Sequence, residues 1–214
     1  MHDCDLMLNI GARFDDRITG RLDAFSPGSK KIHVDIDPSS INKTIPVDLA
    51  IVGDVGQVLE DLIKIWKSET RRPDADALKS WWATIDHWRE KDSLAFETND
   101  KVIMPQQAIR SLYERTKDLD TYITTDVGQH QMWAAQHYKF EKPNRWMTSG
   151  GLGTMGYGLP SAIGVKIAHP DSTVVCITGE ASFMMNIQEL STAVQHGAGV
   201  KILLLNNHYQ GMVR

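Results

Sequence analysis

A carboxylate and a carboxamide follow two neighbouring apolar segments near the end of the chain. Glu180 comes shortly after Ser172–Thr178, and Asn207 comes shortly after Lys201–Leu205. Both segments are typical of short buried strands, and apolar residues at helical spacing predict a crossover helix over 186–196. Parallel strands joined by a right-handed crossover end at the same edge of a sheet. We therefore expect Glu180 and Asn207 to meet at that edge, where ligands of open α/β sheets bind.

Two oxygen ligands at a sheet edge suit Mg²⁺, which takes few protein ligands and completes its octahedron with phosphate oxygens and water. The amino end of the crossover helix would favour an anionic phosphate. The pattern thus predicts a metal-bound diphosphate. An acidic turn and an Asn-Asn turn in an ordinary α/β domain remain the open alternative.

The same residues resemble a known signature. Gly179-Glu180-Ala181, then residues 182–205, then Asn206-Asn207 resemble the thiamine diphosphate motif Gly-Asp-Gly-x(24–27)-Asn-Asn. Phrases at 126–136, 148–156 and 206–213 are similar to those of the catalytic subunits of acetolactate synthase. The resemblance covers nearly the whole chain.

The chain departs from the motif at the proposed metal position. Glu180 stands where the motif has Asp, and Ala181 where it has Gly. Glutamate keeps the carboxylate but adds a methylene, so the metal or the strand end must shift slightly. Either carboxylate can bind Mg²⁺.

The resemblance also implies which residues hold the cofactor and the metal. Mg²⁺ would be held by Glu180, Asn207 and the backbone carbonyl of Tyr209, and Met155 would support the bent cofactor between its two rings. The implied thiamine diphosphate residues are Gly128, Gln129, His130, Gly153, Met155, Glu180, Ala181, Ser182, Asn207 and Met212. Independently, glycine at 128 opens a helix whose amides could hold phosphate, and a glycine-rich loop at 150–158 allows close backbone approach.

Residues 1–68 resemble the end of the family's middle domain, which binds FAD. The matching residues lie near the ends of three predicted strands, 5–10, 31–36 and 49–52. They are Gly11, Ala12, Arg13, Phe14, Asp15, Asp35, Ile36, Asp54 and Val55. Acidic residues at strand ends can accept hydrogen bonds from a ribose, although without the resemblance they would be interpreted as caps and turns.

The predicted fold class is α/β, with parallel, doubly wound sheets. Residues 1–68 would be the carboxy-terminal part of the middle domain, and 101–214 a thiamine diphosphate domain truncated at its carboxy end. Between them, 69–100 would be a linker with a connecting helix. We interpret its tryptophans, Trp81, Trp82 and Trp88, as packing that helix onto the domain, in preference to a ligand-stacking surface.

The resemblance implies a carboligation reaction. Pyruvate would be decarboxylated and its two-carbon unit transferred to pyruvate or 2-oxobutyrate, at the start of valine, leucine and isoleucine biosynthesis. FAD would be structural. The activating glutamate would come from a partner subunit, so no catalytic residue is expected in this chain. The chain is expected to be an internal fragment, inactive alone, of a homo-oligomer with at least two subunits. Whether a small regulatory subunit also binds is left open by the sequence.

Composition bounds the remaining possibilities. A net charge of −4 over 214 residues, without a Lys/Arg block, argues against nucleic acid. The apolar runs are too short to span a membrane. Two cysteines do not suggest a disulfide scaffold, and reduced thiols in the cytoplasm are expected. A related thiamine-dependent oxidase or decarboxylase and a non-catalytic binding module remain as alternatives.

Overall fold

A computed structural model describes residues 1–213 and divides the chain into two compact units. The first unit is Met1–Ile85, and the second begins at Asp86. This division falls within the linker predicted over 69–100. The other predicted domain limits, at 68 and 101, stay predictions.

The first unit contains a three-stranded parallel sheet. The strands β1 (Leu6–Ile10), β2 (Lys30–Asp35) and β3 (Leu49–Val52) lie side by side in that order. Its helices are α1 (Asp16–Thr19) and α2 (Val55–Ser68), and α3 (Ala75–Glu90) crosses into the second unit. Because all three strands are parallel, their carboxyl ends share one edge. The three predicted strands are confirmed to within one residue at each end.

Helix α2 confirms the predicted cap but does not bury its apolar face. The Asp54 carboxylate accepts hydrogen bonds from the N–H groups of Gly56 and Gln57, at 2.9 and 3.2 Å. No residue of α2 is buried, and none of α3 is. Trp82 and Trp88 of α3 are 53% and 37% exposed, and the prediction that the tryptophans pack this helix onto the domain stays a prediction.

The second unit contains a four-stranded parallel sheet in the order β5-β4-β6-β7. The strands are β4 (Thr121–Thr125), β5 (Trp146–Thr148), β6 (Thr173–Thr178) and β7 (Lys201–Leu204). The helices are α4 (Pro105–Thr116), α5 (Gln129–His137), α6 (Gly158–Ala168), α7 (Glu180–Met185) and α8 (Glu189–Gln195). Through residues 1–213, none of the helices is both long and apolar enough to cross a lipid bilayer.

Successive residues of the central strands supply two cores. Val175 and Ile177 of β6 pack with residues of α4 and α5 on one face of the sheet. Val174 and Cys176 pack on the other face, where the core includes residues of α6. Burial raises the pKa of the Cys176 thiol to about 12, so it is an inert core residue. Helices on both faces of a parallel sheet confirm the doubly wound α/β fold.

The predicted helix over 186–196 is wrong in its limits. The structure has two helices, α7 and α8, and Glu180 is the first residue of α7 and not a turn residue. The break falls at Asn186, whose φ and ψ of −131° and 27° are not helical. The Asn186 side chain donates a 2.6 Å hydrogen bond to the carbonyl of Gly156, which holds the chain in this bend.

Candidate functional site

The strand order places a ligand crevice between β4 and β6. The chain runs from β4 outward to β5 and then returns to β6 on the other side of β4. Such a reversal opens a crevice outside the carboxyl ends of the two strands. A cleft with an empty volume of about 570 Å³ lies at these ends.

The cleft brings together segments that follow all four strands of the sheet. Its lining residues are Val127, Gly128, Gln129, His130, Trp133, Met155, Gly179, Glu180, Ala181, Ser182, Leu205, Asn207, Tyr209, Gln210, Gly211, Met212 and Val213. All residues predicted for the thiamine diphosphate and metal sites are in this set except Gly153. Gly153 has a φ of +65° and serves the turn two residues before Met155.

Helix α5 begins without a side-chain cap. Its N-cap residue is Gly128, with a φ of +154°, and a Cβ there would lie 2.6 Å from Cε1 of His130. Only glycine fits this close approach. The N–H of Gln131 donates to the carbonyl of Gly128, and the N–H groups before it in the first turn are left to an anion, which the helix dipole also favours.

His130 presents a buried polar atom that lacks a partner within residues 1–213. The residue is 6% exposed, and its Nε2 has no hydrogen-bond partner there. Burial lowers the pKa of His130 below its ordinary value of 6.5, against the opposing effect of the Asp126 and Glu180 carboxylates. A neutral imidazole retains one N–H donor. An oxygen of a phosphate group in the cleft would satisfy it.

Ser182 holds the two sides of the cleft together. It is 2% exposed, and its hydroxyl donates a 3.0 Å hydrogen bond to the carbonyl of Val127. The hydroxyl proton is thus already used. The predicted contact of Ser182 with a diphosphate would have to come from its backbone N–H.

Asn207 is held in a fixed orientation. Its Oδ1 accepts from the N–H of Tyr209 at 3.0 Å, and its Nδ2 donates to Oε1 of Gln129 at 3.2 Å. An amide oxygen with one hydrogen bond keeps a lone pair for a metal. The arrangement thus aims a hard oxygen ligand from β7 toward the cleft.

Glu180 supplies the one carboxylate among the described lining residues. No cluster of three His, Cys, Asp or Glu side chains suited to a metal occurs within the described chain. A metal here would rest on one carboxylate, one amide oxygen and a backbone carbonyl. This small set of oxygen ligands suits Mg²⁺ with bound phosphate.

Sequence reasoning missed Asp126, which follows β4 directly. It is 1% exposed and accepts hydrogen bonds from the N–H groups of Gly156 and Gly158. The signal was an acidic residue at a strand end, two positions before a glycine, quoted above only as part of a matching phrase. Gly211 was also missed: a Cβ there would lie 2.2 Å from Oε1 of Gln129.

The residues predicted for FAD follow the strands of the first unit. Gly11 follows β1, Asp35 ends β2, and Asp54 lies just after β3. Phe14 is 8% exposed and packs edge-on against His33, with ring centroids 5.2 Å apart. Several of the predicted residues also have local structural roles. Asp54 caps α2, and Asp35 Oδ1 accepts from the N–H of Asp37 at 2.8 Å.

The loop after β1 is fixed by its own side chains. Asn9 Nδ2 donates to the carbonyl of Ala12 at 2.6 Å, and Arg13 pairs with Asp15 at 3.2 Å. Asp15 Oδ1 is buried and has no partner among residues 1–213.

The remaining predicted FAD residues follow β2 and β3. Ile36 is 71% exposed, and Val55, the first residue of α2, is 40% exposed. The structure thus places all nine predicted residues at or near one sheet edge.

Comparison with known proteins gives the family. Residues 126–214 match the model described as thiamine pyrophosphate enzyme, C-terminal TPP binding domain, and residues 1–62 match thiamine pyrophosphate enzyme, central domain. Thiamine pyrophosphate and thiamine diphosphate are the same molecule. The central-domain match covers β1 to β3, and the C-terminal match begins directly after β4 and covers β5, β6 and β7.

The similar proteins share one name. The chain is 51% identical over 214 residues to the acetolactate synthase large subunit of Haemophilus influenzae, and 50% identical to the acetolactate synthase isozyme 3 large subunit of Escherichia coli. Both alignments cover 100% of this chain and 37% of the relative. The large subunit of Cyanidium caldarium is 46% identical over 212 residues, 99% of this chain and 36% of the relative. The chain thus spans little more than a third of these relatives, and it belongs to the thiamine pyrophosphate enzymes as a homologue of acetolactate synthase large subunits.

Proposed function

We propose that this chain is the cofactor-binding region of an acetolactate synthase large subunit, holding thiamine diphosphate and Mg²⁺ in its second unit. The observation that carries the proposal is the cleft at the β4–β6 crevice, which collects residues from 127 to 213. The proposed reaction is decarboxylation of pyruvate and transfer of the two-carbon unit to pyruvate or 2-oxobutyrate. It would take place in the cytoplasm, in the synthesis of branched-chain amino acids.

The diphosphate would lie against the start of α5. The uncapped N–H groups at the start of α5 are donors that suit its oxygens, and Nε2 of His130 is a further donor in the tautomer that carries the proton there. Glycine at position 179 is needed beside this imidazole. A Cβ on Gly179 would lie 2.9 Å from Nδ1 of His130, which is too close for a larger residue. The backbone at Ala181 and Ser182 would close the other side.

The metal would bridge the diphosphate to β6 and β7. Glu180 and Asn207 line the same cleft, and the carbonyl of Tyr209 would provide a third oxygen. Because Asn207 is fixed by Tyr209 and Gln129, little side-chain entropy would be lost when it binds metal. Such pre-organisation supports a resident Mg²⁺.

The ring end of the cofactor would lie near Met155. Bound thiamine diphosphate supplies a ring carbon that adds to 2-oxo acids and a positively charged thiazolium ring that takes up the electrons left when carbon dioxide departs. Met155 lines the cleft together with the apolar side chains of Trp133, Leu205 and Met212. A flexible, polarisable methionine can fill the space beside a heterocyclic ring.

The direct test is calorimetric titration of the purified protein with thiamine diphosphate. We expect saturable binding that requires Mg²⁺ and is lost in EDTA. Where the intact polypeptide turns over pyruvate, acetolactate is the expected product. Acetaldehyde or acetate would instead assign a related decarboxylase or oxidase, and absence of binding at millimolar cofactor would contradict the proposal.

The first unit would contribute to an FAD site. Three strand ends at one edge, with Gly11 at a φ of +66°, allow a dinucleotide to approach the backbone closely. The unpartnered Oδ1 of Asp15 and the carboxylate of Asp35 are acceptors for ribose or adenine donors. FAD would be structural, since the proposed reaction involves no net redox change.

Replacing Arg13 by alanine should weaken FAD binding by about tenfold, the value of one hydrogen bond to a charged group. Its side chain is 63% exposed, so removing its ion pair with Asp15 should leave unfolding unchanged. Flavin fluorescence quenching measures the affinity. The matched control is Arg21→Ala, which removes a similar exposed pair with Asp23. Equal affinities for the two variants would contradict the assignment of Arg13.

The proposed assembly is a homo-oligomer of at least two large subunits with a small regulatory subunit. Glu180 is the one carboxylate among the described residues of the cleft, and the proposal assigns it to the metal. The glutamate that activates the cofactor would then come from a partner subunit. Sedimentation of the intact polypeptide with and without cofactor would test the assembly.

A further inference from the structure

Asp126 carries a buried carboxylate whose hydrogen bonds go to backbone N–H groups. Oδ1 accepts from Gly156 at 2.7 Å and from Val127 at 3.0 Å, and Oδ2 accepts from Gly158 at 3.2 Å. The residue is 1% exposed, and burial of a carboxylate is costly unless it is hydrogen-bonded. Three N–H donors around one buried carboxylate therefore indicate that Asp126 fixes the position of the backbone segments that carry them.

One of those donors, Gly156, belongs to the loop that carries Met155, and another, Gly158, is the first residue of α6, which follows that loop. The N–H of Gly156 is part of the peptide bond that follows Met155, so Asp126 holds that peptide from one side. The carbonyl of Gly156 accepts from Nδ2 of Asn186 at 2.6 Å. The backbone next to Met155 is thus held between a carboxylate and an amide.

The glycine is required for this arrangement. Gly156 has a φ of +87°, and a Cβ there would lie 2.7 Å from Nδ2 of Asn186. Elsewhere in the loop, the Leu152 side chain is 95% exposed, and the N–H of Thr154 donates to Oγ of Ser149 at 2.9 Å. The contacts with Asp126 and Asn186 are made at Gly156, the residue that follows Met155.

The same segment is tied to the diphosphate side of the cleft. Val127, next to Asp126, accepts the hydrogen bond of Ser182, and Asp126 donates its own N–H to the carbonyl of Ile177 in β6. The position of Met155 is in this way fixed relative to β6 and the start of α7.

From this geometry we propose that Asp126, assisted by Asn186, is a positioning residue that sets Met155 against the rings of the cofactor. The inference rests on the proposed function. It extends that function by assigning support of the cofactor rings to Asp126 and Asn186. These two residues, which we call the clamp, are separate from the residues that contact the diphosphate. Asp126 would touch neither cofactor nor substrate.

The test compares two ligands on Asp126→Asn, namely Mg²⁺ with thiamine diphosphate and Mg²⁺ with inorganic diphosphate. Asparagine keeps the shape but turns one acceptor into an NH₂ group that faces the N–H of Gly158. Thiamine diphosphate should bind at least about tenfold more weakly, the loss expected for hydrogen bonds to a charged group. Inorganic diphosphate should bind within about twofold of the wild type, because its contacts lie elsewhere.

A double-mutant cycle with Met155→Ala separates positioning from general stability. If Asp126 acts through Met155, Asp126→Asn should weaken thiamine diphosphate binding by less than about twofold in the Met155→Ala background. Equal losses for both ligands, or a full loss in that background, would overturn the inference. Failure of the wild type to bind either ligand would overturn the proposed function, and the inference with it.

Two further measurements guard against simple misfolding. Asn186→Ala removes the opposite contact without altering a buried charge and should give the same ligand selectivity. In ligand-free Asp126→Asn, amide hydrogen exchange should accelerate at 154–158 while β4 and β6 stay protected. The control is Asp120→Asn, at the amino end of the same strand, where the carboxylate is 47% exposed. Unchanged exchange at 154–158 in both clamp variants would overturn the clamp.

Discussion

Replacing Gly158 by alanine should destabilise the second unit by about 3 kcal/mol, as expected for overpacking against a rigid wall. A Cβ at this position would lie 2.9 Å from the backbone nitrogen of Asp126, 3.0 Å from its Oδ2 and 3.1 Å from Sγ of Cys176. A backbone atom and two buried groups cannot move aside cheaply. The variant should also weaken thiamine diphosphate binding, because any relief of the clash shifts Asp126.

The matched control lies in the same helix. Gly164 is also in α6, but a Cβ there would meet nothing within 4 Å. Gly164→Ala should stabilise the unit by about 0.5–1 kcal/mol through helix propensity. Urea unfolding followed by the circular dichroism of both variants measures the difference. If both alanines had the same effect, close packing of α6 on β4 would not be the reason for glycine at 158.

Most strands could be predicted because they arise from local sequence, namely short apolar runs between polar turns. β6 and β7 are short apolar runs between polar turns, and the structure places both within one residue of the prediction. β5 has three half-buried residues and was not predicted. A strand of that length leaves too little pattern in the sequence, and it forms because Ile123, Thr124 and Thr125 provide a partner edge.

The helix break at Asn186 shows the limit of periodicity. Apolar spacing predicted one helix over 186–196 and missed α7, which ends at its C-cap residue Asn186, where the side chain donates a hydrogen bond to the carbonyl of Gly156, 30 positions away. Asp126 was missed for the same reason: its partners, Gly156 and Gly158, are 30 and 32 positions away. Pattern analysis detects what a residue does to its neighbours in sequence. Contacts of this kind depend on the folded chain.

The site itself was more predictable than its supports. Glu180 and Asn207 were expected at one edge from strand order alone, and the structure puts both in one cleft. Gly153 was carried over from the motif phrase and lies outside it. Residues such as Glu180 and Asn207 follow strands, and the ends of strands can be recognised in the sequence. The role of a residue that shapes a loop depends on tertiary contacts, which the sequence pattern does not give.

Replacing Glu180 by glutamine should weaken Mg²⁺-dependent binding of thiamine diphosphate by about 100-fold, the upper range for disturbing a metal site. Glutamine keeps the length of the side chain but removes the one carboxylate among the described cleft residues. The matched control is Glu189→Gln, because Glu189 is likewise the first residue of a helix. Its carboxylate accepts from the hydroxyl of Thr192, so it has a local role and its loss should leave cofactor affinity unchanged.

The direction of the effect is as informative as its size. If no metal took part, Glu180 would only repel the negative diphosphate, and Glu180→Gln would strengthen binding. If Glu180 holds a metal ion, Glu180→Gln should instead weaken diphosphate binding, because the ion that attracts the diphosphate would be lost with the carboxylate. Glu180→Asp should remain within about threefold of the wild type, since either carboxylate can bind Mg²⁺. Titrations at several Mg²⁺ concentrations would show the loss in Glu180→Gln easing as Mg²⁺ rises, whereas a gain in affinity would remove Glu180 from the metal site.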